Sequence, residues 1–328
     1  MIALLSTPTA FEFRFESVSI GTRKSPLAIK QAELIAAAIE LNTLGTTTTL
    51  VPLDSEGDQN LRRDVPLAQA GVDFTTLIDA AVLERVCDVG VHSLKDVPPT
   101  SRWNPGLVIA CHLPRASPLD VLVGAESLAA LPPNARVGTA SVRRQAQLRA
   151  ARPDLELVNV RGSVGARLAQ LDAGDVDALC LAAAGVARLG ESAMAGRANG
   201  VLPPDVMLPG AGQGIICATC RVGADEMRLL RAADDLDAHV AAAAERSLLD
   251  AVDGLSPWTG RPPVGTLMER GSGGGWTLRG LVARPDGAEV VRVERTAAAD
   301  CDPAEAAALG REAGEELVAL AGADFLHH

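Results

Sequence analysis

From about Ser17 to Cys220, short apolar runs alternate with longer runs whose apolar positions recur at helical spacing. The run VSIGTR (18–23) leads into SPLAIKQAELIAAAIELN (25–42), where Ser25 and Pro26 form a good N-cap and first-turn pair. CDVGV (87–91), LVIAC (107–111), ARVGT (135–139), LELVNV (155–160) and DALCLA (177–182) read as short buried strands. Several are followed by helical runs, the pattern of a mostly parallel α/β sheet. Two turn-rich stretches interrupt it, 112–120 and 196–214. Two crossings between the same pair of lobes predict a hinged cleft. Lobe 1 is then residues 1–112 with 208–235, and lobe 2 is 113–207. From 236 onward the pattern changes to a helix (238–252), a hairpin across Pro-Asp-Gly (277–295) and a last amphipathic helix (303–321). Residues 236–328 are expected to form a small α+β domain.

Composition narrows what such a cleft can hold. Aromatics are 2% of the 328 residues and Tyr is absent, so little is available for stacking on bases. The net charge of −11 has the wrong sign for nucleic acid or an anionic membrane. We expect neither as a partner. No basic leader and no long apolar stretch is present, and six scattered cysteines in apolar segments suggest buried thiols of a reducing compartment. The cytoplasm is the expected location, and the acidic surface suggests a monomer.

Against this acidic background, the basic residues are informative by position. Arg23 follows the first strand, Arg143 and Arg144 open the helix after ARVGT, and Arg161 ends LELVNV. Arg167 lies one turn into the helix capped near Ser163, and Arg188 follows the strand around Cys180. All lie at or beyond the carboxyl ends of strands, where open α/β sheets bind ligands. Two arginines in a helix first turn oppose the macrodipole, which makes sense if an external anion shares the site. No phosphate-loop spacing is present, and GAGQG (210–214) does not fit a dinucleotide fingerprint. Several separate carboxylates on one small ligand fit better. In VHSLKDVPP (91–99), Lys95 and Asp96 crowd one turn beside His92. Asp96 is either half of an ordinary ion pair or a carboxylate that stabilises a developing cation. His92 reads as a structural hydrogen-bonder. No metal site is expected.

These residues fall in IGTRKSPLAIKQAE (20–33), VGVHSLKDVPP (89–99), VGTASVRRQAQLRAARPDL (137–155), the run 160–190, LPGAGQG (208–214), the ER-LL of 245–249 and GLVARPDG (280–287). In that order the chain resembles the porphobilinogen deaminases, or hydroxymethylbilane synthases, of tetrapyrrole biosynthesis. The resemblance implies two periplasmic-binding-protein-like lobes around the cleft, with a third domain carrying a cofactor loop. It implies a dipyrromethane cofactor on a cysteine thioether, and a transferase that deaminates porphobilinogen and joins four units. Asp96 would be catalytic. Arg23, Ser25, Lys95, Arg143, Arg144, Arg161, Arg167 and Arg188 would bind substrate and cofactor carboxylates, with Phe74, Ser141 and Gln213 as minor contacts.

The chain departs from the family pattern where the cofactor is attached. ERSLLDAVDGLSPWTGRPPVG (245–265) stands for the family's attachment loop, and the cysteine position falls on Ser256 or, counted from the other end, Gly260. Trp258 lies between them. AGVDFTTLIDAA (70–81) lacks the lysines of the family's flap, although Phe74 keeps an aromatic, and Leu119 replaces a usual arginine. Covalent attachment of dipyrromethane is therefore not expected. Cys217 and Cys220 have CxxC spacing but read as core, and Cys301 lies in a tail loop. The changes favour a diverged member that still takes a small polycarboxylate pyrrole; a repurposed, non-catalytic binder is the alternative.

Overall fold

The computed structural model describes residues 16–43, 45–53, 75–190, 196–255 and 262–326. The chain enters with β1 (Ser17–Arg23), α1 (Pro26–Asn42), β2 (Thr47–Leu53), α2 (Thr76–Leu83), β3 (Val89–Ser93) and β4 (Leu107–His112). It crosses to β5 (Asp120–Val123), β6 (Arg136–Gly138), α3 (Val142–Ala151), β7 (Glu156–Val158), α4 (Val164–Asp172), β8 (Ala178–Ala182), α5 (Ala183–Arg188) and β9 (Asn199–Leu202). It then returns as β10 (Ile216–Arg221) and α6 (Glu226–Arg231).

Two five-stranded sheets result, ordered β2-β1-β3-β10-β4 and β7-β6-β8-β5-β9. Each is mixed rather than mostly parallel. β10 runs antiparallel to both β3 and β4, and β5 antiparallel to both β8 and β9. The reversed strand is the one that directly follows a crossing. Two segments that read as loops prove to hold strand. Asp120 opens β5 at the end of the first crossing, and β9 lies inside the Gly- and Pro-rich stretch 196–214. β2, rich in Thr and carrying Pro52, is held as an edge strand, where proline is tolerated.

The tail is α7 (Leu236–Leu255), β11 (Val264–Arg270), β12 (Trp276–Ala283), β13 (Val290–Ala297) and α8 (Pro303–Ala321). β12 and β13 pair across the Pro285-Asp286-Gly287 turn, and β11 adds the third antiparallel strand. Asp302 caps α8 through a reciprocal box with Glu305. Gly310 and Gly314 let α8 lie against α7, since a Cβ on Gly310 would meet the Ala244 carbonyl at 2.0 Å. With so few aromatics, the lobe cores are built from Ala, Val, Leu and Ile. Trp276 and Phe325 are the aromatic residues of the tail's core.

The second crossing presses against the first. Gly214 has φ +93°, and its Cβ would meet the Ala116 carbonyl at 2.4 Å. Gly214→Ala therefore has to displace one crossing from the other. We expect it to destabilise the fold by about 2–4 kcal/mol in equilibrium denaturation, whereas Gly190→Ala, also at positive φ but with open space around it, should cost about 1 kcal/mol.

Candidate functional site

The parallel strands direct their carboxyl ends at the cleft. Ser25, Ser141 and Ser163 cap α1, α3 and α4 there, each accepting a hydrogen bond from a first-turn amide. Ser141 thus has a defined structural role. Arg143 and Arg144 begin α3, and both are buried. An anion from within the protein lies between them. Asp120, wholly buried, lies 2.8 Å from Arg143 Nη1 and accepts from Arg144 Nη2 at 2.7 Å and Nε at 3.1 Å. Burial pushes the Asp120 pKa up, but the two guanidinium charges and their hydrogen bonds outweigh it and hold the group well below the usual carboxylate range. Arg144 Nη1 also donates to the Cys180 carbonyl, and Arg143 Nη1 to that of Leu208.

Gln213 is more than a minor contact. Buried in the second crossing, it donates to Asp120 Oδ1 at 2.9 Å and to the Pro118 carbonyl at 2.7 Å. Its Oε1 receives Lys95 Nζ at 3.4 Å. Its own carbonyl accepts from Arg115, which grips the fully buried Glu245 of α7 with contacts of 2.6 and 3.1 Å. Glu245 also accepts from the Gly212 and Met268 amides. Arg188 ties α5 to the same crossing through the Gly214 carbonyl. Asp120, Arg115 and Glu245 were absent from the expected site. Asp120 had one legible signal, an acid opening the apolar run DVLV just after a turn.

Lys95 and Asp96 form the 3₁₀ turn Leu94–Asp96 after β3, and both are exposed. Arg23, Ser25, Gln31, His92 and Asp96 line a pocket of about 70 Å³ at this mouth. Asp96 acts electrostatically on Lys95, Arg144 and Arg167, which places the two lobes' charges in one field. Arg167 donates to the Gly162 carbonyl; burial first, then the Arg144 charge, lowers its pKa to about 10. Behind the pocket, His92 Nε2 lies 3.2 Å from Asp79, itself held by the Trp103 indole N–H at 2.9 Å. That supports His92 as a structural hydrogen-bonder.

Arg161 is different from the rest. It is 7% exposed, and its Nε, Nη1 and Nη2 are all buried without a hydrogen-bond partner among the described residues. An unpaired guanidinium at the carboxyl edge of a sheet is costly to hold unless an anion comes to it. Phe74 and the altered loop residues Ser256, Trp258 and Gly260 lie outside the described residues. Leu119, at the usual arginine position, is half-buried, and its carbonyl accepts from Ala183.

The family profile described as porphobilinogen deaminase, dipyromethane cofactor binding domain, matches residues 18–229. The chain belongs to the porphobilinogen deaminase family. Among solved structures, YhfZ from Shigella flexneri is similar at 19% identity, covering 71% of this chain and 94% of that one with a TM-score of 0.38. The probable amino-acid ABC transporter extracellular-binding protein ytmK of Bacillus subtilis shares 11% identity over 74% of this chain and 94% of that one, TM-score 0.41. The periplasmic aliphatic sulphonate binding protein SsuA of Escherichia coli shares 15% over 74% and 73%, TM-score 0.39. No helix among the described residues is long and apolar enough to cross a membrane.

For a porphobilinogen deaminase, the residues present fit the dipyrromethane carboxylates but not its thioether. The buried guanidinium of Arg161 offers donors that suit a carboxylate. No thiol is available as the tether: all six cysteines are buried. Burial raises Cys87 and Cys220 to about 11 and Cys111 and Cys180 to about 12, and pushes Cys217 and Cys301 up as well. A neutral, enclosed thiol is neither nucleophilic nor reachable.

Lys95 gives the cleft a pH dependence. Its side chain is exposed at the mouth, yet the protein around it strips water from the ammonium, and this desolvation, with the Arg144 charge, lowers its pKa from 10.5 to about 8. Water entering the open mouth tempers the effect without reversing it. The ammonium is thus lost as pH rises through about 8, and affinity for a polycarboxylate should fall several-fold between about pH 7 and 9.5. Lys95→Arg should flatten that profile in titration calorimetry. Because the unfolded lysine binds its proton more tightly, folding stability changes the other way and rises between the folded and unfolded pKa values.

Proposed function

We propose that this protein acts on porphobilinogen or a closely related acidic pyrrole, deaminating it and joining the units toward hydroxymethylbilane. The observation that carries the reading is Arg161, buried with its whole guanidinium unpartnered at the carboxyl edge of β7. The pyrrole's acetate and propionate are the anions that would pair with it, with Arg167, Arg23 and Lys95 supplying further positive charge. Arg143 and Arg144, committed to Asp120, set the field rather than offer free donors.

Loss of ammonia from the aminomethyl group leaves a methylene cation delocalised over the pyrrole ring. Asp96, exposed in the cleft, is the carboxylate placed to stabilise it while the α-carbon of a second pyrrole attacks. That attack forms the C–C bond, and the α-proton then leaves to restore the aromatic ring. The growing chain is held reversibly by its carboxylates, because no thiol is placed to fasten it. The retained basic rim and Asp96, beside an altered anchor and flap, fit this division. Buried reduced thiols and an acidic surface fit a cytoplasmic monomer.

The same missing thiol favours a second reading, a polycarboxylate binder without turnover. Asp96 separates the two. Purified protein should consume porphobilinogen and yield uroporphyrin after oxidation, Asp96→Asn should lower the rate at least a hundredfold while changing affinity little, and intact mass should equal that of the bare chain. A folded wild-type protein that binds porphobilinogen but never consumes it would overturn the enzymatic reading. An adduct of dipyrromethane mass would overturn reversible holding.

A further inference from the structure

We infer that His112, Asp234 and His239 form a site for a divalent transition cation of the zinc class, at the joint between the first lobe and the tail. His112 ends β4, His239 lies in the first turn of α7, and Asp234 precedes that helix. The two imidazoles stack with centroids 4.6 Å apart and planes at 30°. Each aims Nδ1 at a different oxygen of one carboxylate: His112 at Oδ1 (2.9 Å) and His239 at Oδ2 (2.7 Å). All three ligand atoms lie within 4.8 Å of one another. Two neighbouring ligands at about 2.0–2.1 Å from a zinc-class ion are roughly 3 Å apart when cis, so little movement is needed to exchange the bridging protons for a metal.

The surroundings suit the ion as well. His112 and Asp234 are 5% and 16% exposed at their side chains and His239 is 40% exposed, which leaves one side open for water ligands. Two imidazoles and a carboxylate select zinc, cobalt or nickel over calcium or magnesium. The neighbouring acid Asp235 caps α7 at the Ala238 amide and adds negative charge near the joint. Opposing this, the Arg246 charge reaches His112, and the Asp234 Oδ1 atom also accepts from the His112 amide. These lower the affinity of the site without filling it. Nothing local in the chain marks the cluster, since its first ligand lies 122 residues before its second. A cation here would join β4 to α7, away from the cleft, so this inference stands apart from the proposed activity.

The test uses the full chain, stripped of metal, titrated with Zn²⁺ alone and with Co²⁺ as the visible-absorption probe. We expect one equivalent to bind with a Co²⁺ d–d spectrum and a rise in Tm. Binding should weaken on acidification to about pH 5.5 as protons compete. His239→Ala, at the most exposed ligand, should keep the circular dichroism of the fold and bind at least tenfold more weakly; His239→Gln serves if that variant unfolds. Failure to take up one equivalent would overturn the inference. Unchanged affinity in the His239 variants would also overturn it, assigning the metal to other groups such as the terminal His327 and His328.

Discussion

Asp120 carries its carboxylate wholly out of water between two guanidinium groups, and the cleft is organised around that charge. Such a triad is expensive to desolvate, and removing one member would leave charge buried and unpaired, at a cost of about 3–5 kcal/mol. It nonetheless sets geometry that an apolar cluster could not. The first crossing delivers Asp120, helix α3 delivers both arginines, and the second crossing delivers Gln213 to the same oxygen. Gln213 then reaches Lys95 of the first lobe. One carboxylate therefore fixes both crossings and the electrostatic field into which Asp96 projects.

A second buried pair repeats the device one layer away. Glu245 of α7 neutralises Arg115 of the first crossing and accepts amides from the second crossing and from β11. The tail is thus fastened where the lobes meet. The far end of α7 is fastened as well: Asp250 and Asp253 bind Thr100, Ser101 and Arg102, shortly after Asp96. The helix that leads into the altered loop is consequently fixed to the Thr100–Arg102 turn, which follows the turn bearing the proposed catalytic carboxylate. The scaffold that positions a tether is present in a chain without an accessible thiol.

Helical periodicity and strand runs made the α/β lobes and the α+β tail legible in the sequence, because burial on one face leaves a pattern that any window detects. β2, β5 and β9 were harder. β5 and β9 span only four residues each, and β2 carries a proline at an edge. The basic residues were visible by their place after strands, yet their partners were not. Arg115 meets Glu245 across 130 residues and Gln213 meets Asp120 across 93, and nothing local in the chain announces such contacts. The structure also separates arginines that looked equivalent. Arg144 is satisfied from within, whereas Arg161 is not.

Recognition of the ligand by the buried Arg161 guanidinium is tested most directly by titration calorimetry of porphobilinogen into wild type and Arg161→Met. The account predicts binding at least tenfold weaker in the variant, from the loss of charge-assisted hydrogen bonds, in a ligand-free protein as stable as wild type or more so, because an unpaired buried charge has been removed. Equal affinity in the two proteins would contradict it.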